Sequence, residues 1–276
     1  MMSPTTRRSF LTWAGGSAVA LSTGTEFSNT GQLPGQLAEG APGRQDREFS
    51  NVMAIAAHPG DAFFPMGAPV ALACHFGGQG SLLSLSLGEK GSPSIPAEQY
   101  GSSQREAAEK AAALMSAKAL FFEYPDGEIP VNDQVKFAVC DLIRQHKPSV
   151  IVTHWKGSWH KDHRACHDIV DDAIFYAGLP AIVRKEPAHG VSKLFFADNW
   201  EDATGFVADI YLDITPVYDR WLEACNAFPM WRGETGFHYN DYYSSLTVGR
   251  GCLSNFKRAV ALMSPREQRV QRVRLS

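Results

Sequence analysis

The chain has no excess of basic residues and few cysteines, and both shortages narrow the range of its functions. Among 276 residues, 26 are Lys or Arg and 29 are Asp or Glu, which gives a net charge of −3. A balance of this kind does not neutralise a phosphate backbone, so we expect no nucleic-acid partner. Five scattered cysteines are too few for a disulfide scaffold.

Two further patterns are missing. No internal repeat is visible. No Gly-rich GxGxxG turn follows the first predicted strand, because His58 and Pro59 occupy that turn, and this argues against a dinucleotide-binding enzyme.

The N-terminus has the layout of an export signal. Arg7 and Arg8 precede a weakly apolar run over residues 11–21, which is shorter than the roughly 20 residues that span a bilayer. This layout predicts a twin-arginine signal over residues 1–22 and a periplasmic or extracellular protein without a stable membrane anchor. The alternative is a chance Arg pair before an apolar helix.

The remaining chain divides into a linker, a folded domain and a tail. Residues 23–48 are rich in Gly, Ser, Thr and Pro without an apolar period, which predicts a flexible linker. The folded domain is expected over residues 49–265, and residues 266–276 are expected to form a basic, solvated tail.

Short apolar segments alternate with helical ones across the folded part. Residues 52–57 and 149–154 are typical of buried strands, whereas residues 104–117, 162–177 and 253–263 are typical of helices. This alternation predicts a single three-layer α/β domain, with a mainly parallel sheet covered by helices on both faces.

Two polar clusters follow predicted strands and suggest a metal site. His58 and Asp61 lie three residues apart in a tight turn, and His160, Asp162 and His163 follow another strand. Two His and one carboxylate held on a rigid edge are typical ligands of a catalytic zinc ion. From spacing alone, a surface His-rich loop with an unrelated turn Asp remains an alternative.

Several short motifs resemble those of one enzyme family. Residues 56–61 (AAHPGD) are similar to the AHPDD motif of the LmbE-like family, also called the PIG-L or N-acetylglucosaminyl-phosphatidylinositol de-N-acetylase family. Residues 160–165 (HKDHRA) resemble the family's HPDHRA motif. Weaker similarities lie between them, in order, at residues 87–92, 105–109 and 124–128.

The resemblance implies a Rossmann-like fold and a zinc-dependent deacetylase of N-acetyl amino sugars or their conjugates. It implies Zn²⁺, or another divalent metal, held by His58, Asp61 and His163. His160 would stabilise the oxyanion as an imidazolium, and Asp162 would orient a neighbouring His. Arg105 and Asp126 would lie on the sugar-binding side.

The sequence departs from the family pattern at the position of the general base. Where the motif has its first Asp, which is the base, this chain has Gly60, and Ala62 replaces the acid that follows the pair. Three explanations stay open: another carboxylate such as Glu89, Asp126 or Asp162 acts as the base; the metal-activated water attacks unaided or with help from the substrate; or a non-catalytic relative binds carbohydrate.

An aromatic-rich stretch over residues 228–243 could line a sugar cleft, because aromatic faces stack on pyranose rings. A packed or dimerising loop is the alternative. The oligomeric state is not predicted.

Overall fold

The computed structural model describes residues 50–269. The predicted export signal (1–22), the predicted linker (23–48) and most of the predicted tail (266–276) lie outside the described residues. Among the described helices, none combines the length and the apolar character that crossing a bilayer requires.

A seven-stranded sheet forms the centre of the fold, in the order β3-β2-β1-β4-β5-β7-β6. The first five strands along the chain are parallel, and β7 runs antiparallel to both of its neighbours. The strands are β1 (Asn51–Ala56), β2 (Gln79–Ser84), β3 (Lys118–Phe121), β4 (Val150–Thr153), β5 (Lys193–Ala197), β6 (Ile210–Asp213) and β7 (Ala259–Met263). The predicted α/β class and mainly parallel sheet are confirmed.

Helices cover both faces of the sheet. They are α1 (Pro59–Phe63), α2 (Gly67–His75), α3 (Ala97–Leu114), α4 (Asp133–His146), α5 (Lys161–Gly178), α6 (Tyr218–Cys225), α7 (Tyr239–Ser254) and α8 (Arg266–Arg269). Successive residues of β1 point to opposite faces. Val52 and Ala54 belong to one core, with α2, α3 and α6, whereas Met53 and Ile55 belong to the other, with α4 and α5.

One predicted helix is wrong. The segment predicted as helical over residues 253–263 contains the end of α7, after which Asn255 adopts a left-handed conformation with φ of 60°. The chain then enters β7. A short, continuously apolar run such as Ala259–Met263 does not distinguish a buried strand from a helix by its period.

The strand order places three loops at one edge of the sheet. The chain passes from β1 outwards to β3 on one side and then returns to β4 on the other, so β1 and β4 flank the point where the strand order reverses. Ligands of open α/β sheets bind beyond the carboxyl ends of the strands at this point. β5 is the next neighbour of β4, and its carboxyl end lies at the same edge.

Candidate metal centre

The first part of the site is the tight connection between β1 and α1. His58 is the residue before the helix, with extended backbone angles (φ −129°, ψ 163°), and Pro59 starts the helix, where its missing N–H costs nothing. One short turn later, Asp61 turns back, and its Oδ2 lies 3.0 Å from His58 Nδ1. The two side chains that the tight turn was expected to bring together are therefore in contact.

His163 joins this pair from the neighbouring strand. It lies in the first turn of α5, which follows β4, and its Nε2 is 3.2 Å from Asp61 Oδ2. One oxygen of Asp61 thus lies between an imidazole nitrogen of His58 and one of His163. The three residues predicted to bind the metal meet at the sheet edge.

More than one combination of side chains in this cluster is compact enough for an ion. Three sets have ligand atoms within 4.8 Å of one another, and the predicted ligands are divided among them: His58, His160 and His163; Asp61, His154 and His163; and His58, Asp126 and Asp162. The hydrogen bonds of each ring decide which nitrogens remain for a metal.

His154 has no nitrogen left for a metal. Its Nδ1 lies 2.8 Å from Asp202 Oδ2, and its Nε2 accepts a hydrogen bond from the backbone N–H of Ala57 at 3.1 Å. Burial lowers the pKa of His154, which keeps the ring neutral, as this pattern of one donor and one acceptor requires. His154 therefore supports the site without binding the ion.

His58 and His163 each keep one nitrogen for the centre. Nδ1 of His163 is held by Asp202 Oδ1 at 2.8 Å, and its buried Nε2 makes no hydrogen bond with any described residue. Nε2 of His58 is held by Asp126 Oδ1 at 3.1 Å and lies 3.4 Å from Asp162 Oδ2. The nitrogens that remain for a metal are then Nδ1 of His58 and Nε2 of His163, which both face Asp61. A carboxylate behind each ligating His is the usual support of a metal site.

The charges of the cluster favour a cation. Burial alone would lower the pKa of His58, but hydrogen bonds to Asp126, Asp162 and Asp61 raise it well above its usual value. Burial opposes, and the Asp61 carboxylate favours, the charged form of His163, and its pKa rises to about 9. Despite burial, the charge of His163 holds the pKa of Asp61 well below its usual range. The same carboxylates and imidazoles fit Zn²⁺ or a similar divalent ion.

His160 and Asp162 lie beside the centre, as predicted, but His160 differs in charge. Burial, together with the positive charges of His163 and His58, lowers the pKa of His160 to about 4, so the ring is neutral at pH 7. Its Nδ1 accepts from the backbone N–H of Asp162 at 3.2 Å, which leaves the proton on Nε2. His160 is therefore a neutral hydrogen-bond donor rather than the expected imidazolium.

Asp162 is fully buried and holds two partners. Its Oδ2 accepts from the backbone N–H of Gly127 at 2.6 Å and lies near His58 Nε2. These contacts fit the predicted orienting role.

The two residues predicted to contact the sugar have different positions. Asp126 lines the cleft that opens over the site, although its Oδ1 also holds His58. Arg105 is not among the residues that line this cleft, because its guanidinium pairs with Glu123 and lies over the ring of Phe121. Its neighbour Gln104 does line the cleft and is buried, with Nε2 unpaired among the described residues.

One segment of the site was not predicted from the sequence: residues 199–202, which follow β5. Asn199 Nδ2 donates to Asp61 Oδ1 at 2.9 Å, and Asp202 binds both His154 and His163. Glu201 Oε2 lies 3.4 Å from His163 Nε2. Polar residues directly after the apolar segment of β5 were the available signal, the same kind that identified the clusters after β1 and β4.

The cleft over the site has a volume of about 380 Å³, and seven of its lining residues are Phe, Tyr or Trp. Trp200 and Phe237 stack with their centroids 4.4 Å apart, and Trp159 lies 5.8 Å from Trp200 with 63% of its surface exposed. Part of the stretch 228–243 lines the cleft, whereas Phe228 and Trp231 pack in the core. None of the described residues that line the cleft is a Lys or an Arg.

Comparison with known proteins identifies the domain. Residues 53–174 match the family model of GlcNAc-PI de-N-acetylase (PIG-L), and this range contains His58, Asp61, His160 and His163. The chain carries a PIG-L family domain. The predicted resemblance is confirmed.

The PIG-L family domain has relatives with two kinds of activity. A 4-oxalmesaconate hydratase of Pseudomonas putida is 24% identical over 225 residues, which cover 78% of this chain and 84% of that protein. The crystal structure of the 4-carboxy-2-hydroxymuconate hydratase from P. putida KT2440 superposes with a TM-score of 0.72 at 21% identity, over 82% of this chain and 99% of that one.

A deacetylase has the same fold. The N,N′-diacetylchitobiose deacetylase from Pyrococcus horikoshii superposes with a TM-score of 0.65 at 17% identity, over 78% of this chain and 83% of that one. At these identities the structural likenesses show the fold alone.

Proposed function

We propose that this protein is an exported, metal-dependent hydrolase that removes the acetyl group from an N-acetyl amino sugar or its conjugate. The observation that carries the proposal is the position of Asp61 Oδ2, 3.0 Å from His58 Nδ1 and 3.2 Å from His163 Nε2. The opposite nitrogen of each ring is held by a carboxylate. We assign Zn²⁺ to this centre from its nitrogen and oxygen donors, with another divalent ion as the alternative.

The cleft supports a neutral, glycosidic substrate. Its aromatic side chains offer flat apolar faces to a pyranose ring, and its described lining contains no Lys or Arg that would pair with an anionic substrate. The deacetylase relative acts, by its name, on a diacetylated disaccharide. The small-molecule partner that we propose is therefore an N-acetylated sugar or glycoconjugate.

The side chains of the site have distinct tasks in amide hydrolysis. The metal, when bound to His58, Asp61 and His163, supplies a Lewis acid that polarises the acetyl carbonyl and activates water. The Nε2–H of neutral His160 is available to donate a hydrogen bond to the oxygen that becomes negative as the carbonyl is attacked. Asp126 and Asp162 hold His58, and Asp202 holds His163, so the ligand rings need not reorient during the reaction.

A hydratase is the second candidate. It is favoured by the hydratase relative and by Gly60, which removes the carboxylate expected of a deacetylase. Both reactions add an activated water. However, the related hydratase acts, by its name, on a carboxylated muconate, and the described lining of this cleft offers such an anion no Lys or Arg. We therefore place deacetylation first.

The experiment is a turnover assay of purified protein on N-acetylated sugars and glycoconjugates, with acetate release as the measurement. Activity should disappear after chelation and return with Zn²⁺, Fe²⁺ or Co²⁺ added singly, and the metal that restores it identifies the cofactor. Hydration of 2-hydroxymuconate-type acids is measured in parallel. Hydration without acetate release would select the hydratase, and binding of sugars without either reaction would select a carbohydrate-binding relative.

A further inference from the structure

The space of the missing base is filled by an apolar side chain. A Cβ added to Gly60 would lie 3.3 Å from both Sδ and Cε of Met230 and 3.3 Å from the ring of Phe64. Met230 belongs to the aromatic-rich stretch and lines the same cleft. A side chain at residue 60 would therefore fit tightly against Met230 and Phe64, and because the chain has no carboxylate there, a replacement base must come from another residue.

Two of the three carboxylates considered from the sequence are already committed to other partners. Glu89 accepts from the backbone N–H of Asp126 with one oxygen and from Ser86 Oγ with the other. Asp126 binds His58 with Oδ1 and the backbone N–H of Lys90 with Oδ2.

Asp162 is also unsuitable. It is fully buried, and it is not among the residues that line the cleft. None of the three carboxylates therefore presents a free, accessible oxygen next to Asp61 and His163.

Glu201 is a carboxylate outside the predicted ligand set that both lines the cleft and lies next to His163. It lines the cleft, its side chain is 13% exposed, and its Oε2 lies 3.4 Å from the nitrogen of His163 that faces the centre. Its backbone is fixed, because Glu201 N donates to Asn199 Oδ1 at 3.0 Å and Glu201 O accepts from Ser158 Oγ at 3.1 Å. The carboxylate is therefore held at the wall of the cleft, next to the centre.

We propose that Glu201 is the general base of this site, in place of the carboxylate that Gly60 lacks. As the water oxygen bonds to the acetyl carbon, Glu201 takes one water proton. When the C–N bond breaks, its electron pair goes to nitrogen, and Glu201 returns the proton there. The acetic acid that is released gives its remaining hydroxyl proton to the amine or to water, so the products are acetate and the amino sugar, and the Glu201 carboxylate is regenerated. This assignment rests on the proposed deacetylase function.

The test compares Glu201→Gln with the parent protein in two independent measurements. Gln keeps the size of the side chain but does not take a proton. We expect kcat for acetate release to fall by about 10²- to 10⁴-fold. The metal content of the purified variant, measured by elemental analysis, should equal that of the parent, because Glu201 is assigned to the water and not to the metal.

Each outcome has a separate meaning. If Glu201→Gln loses the metal, Glu201 is a ligand and the assignment is wrong; if kcat changes less than about fivefold, far below the effect of a general base, another group is the base. Glu223→Gln, an exposed change on α6, is the matched control and should match the parent in both measurements. If the parent itself releases no acetate from any substrate, the deacetylase function fails first and the role of Glu201 fails with it.

Discussion

Asp202 connects two imidazoles of the site. One oxygen accepts from His163 and the other from His154, each at 2.8 Å. Burial alone would raise the pKa of Asp202, but its hydrogen bonds to His154 and His163 and the positive charge of His163 lower it below its usual value. Asp202 is therefore ionised and accepts one hydrogen bond from each ring. This arrangement leaves Nε2 of His163 for the metal.

Asp202→Asn should weaken metal binding. An amide has one acceptor and one donor group, so it satisfies only one of the two imidazole N–H groups, and the other ring turns. The expected loss of metal affinity is about 10- to 100-fold, which is typical for removing the partner of a ligating His. The measurement is competition with a chromogenic chelator. Asp219→Asn, an exposed change, is the control, and equal affinities of the two variants would contradict the prediction.

Gly60→Asp alone should add little deacetylase activity, because a Cβ at residue 60 would lie only 3.3 Å from Met230 and from Phe64. In a Glu201→Gln background, we expect Gly60→Asp to leave kcat low. Adding Met230→Ala opens the space, and the triple variant should have a kcat at least about tenfold higher, as expected when a general base is regained. Acetate release gives kcat for each variant. Recovery by Gly60→Asp without Met230→Ala would show that Met230 does not block the position.

At the scale of elements, the site is built from the three segments that follow β1, β4 and β5, including the first turns of α1 and α5. Two of these three segments were predicted from the sequence to contribute to the site, because the clusters that contain His58 and His163 each follow a clear apolar strand. The third, residues 199–202, was missed, since it matches no ligand motif and its partners lie 39 to 138 residues away. Long-range hydrogen bonds of this kind depend on the strand order, which local patterns do not encode.

The buried side chain of Arg144 holds the C-terminal end of α5. Arg144, near the end of α4, is 1% exposed and donates to five backbone carbonyls around the end of α5 and the loop that follows. They belong to Tyr176, Ala177, Leu179, Ile182 and Glu186. Because the start of α5 carries His163, these hydrogen bonds fix the far end of the helix that holds a predicted ligand.

Arg144→Met should therefore lower the free energy of unfolding by about 3 kcal/mol or more, since several buried carbonyls lose a charged donor. Urea unfolding measures the change. Arg184→Met is a matched control, because Arg184 only pairs with partly exposed Asp141 and lies over Phe137, and about 1 kcal/mol or less is expected. Equal losses in the two variants would show that the hydrogen bonds of Arg144 contribute no more than a surface pair.

At the scale of the whole molecule, the strand order explains how predicted ligands that are far apart in the sequence reach one site. His58 and His163 are far apart in the sequence, and they meet because β1 and β4 are neighbours with the same direction. The sequence was sufficient to predict this class of sheet and its ligand edge. It was not sufficient to place Arg105 correctly, because one step along α3 decides which side chain faces the cleft, and Gln104 does.

Metal binding should stabilise the whole domain, because the ligands come from distant parts of the chain. At a free metal concentration about 100 times the Kd, the gain is about 2.7 kcal/mol. For a domain of this size that corresponds to a rise in Tm of roughly 5–10 °C. Thermal unfolding of the chelated protein, with and without added Zn²⁺, measures this shift. His163→Ala should show no metal-dependent shift, and a shift as large as that of the parent would remove His163 from the ligand set.

The predicted export signal can be tested separately from the folded domain. If Arg7 and Arg8 form a twin-arginine signal, the Arg7→Lys/Arg8→Lys variant should stay in the cytoplasm, because that pathway reads the Arg pair and not merely positive charge. The measurement is cell fractionation with detection of the protein in each compartment. Arg44→Lys/Arg47→Lys, in the predicted linker, is the matched control and should leave export unchanged. Normal export of the Arg7→Lys/Arg8→Lys variant would mean that the pair is a chance feature before an apolar segment.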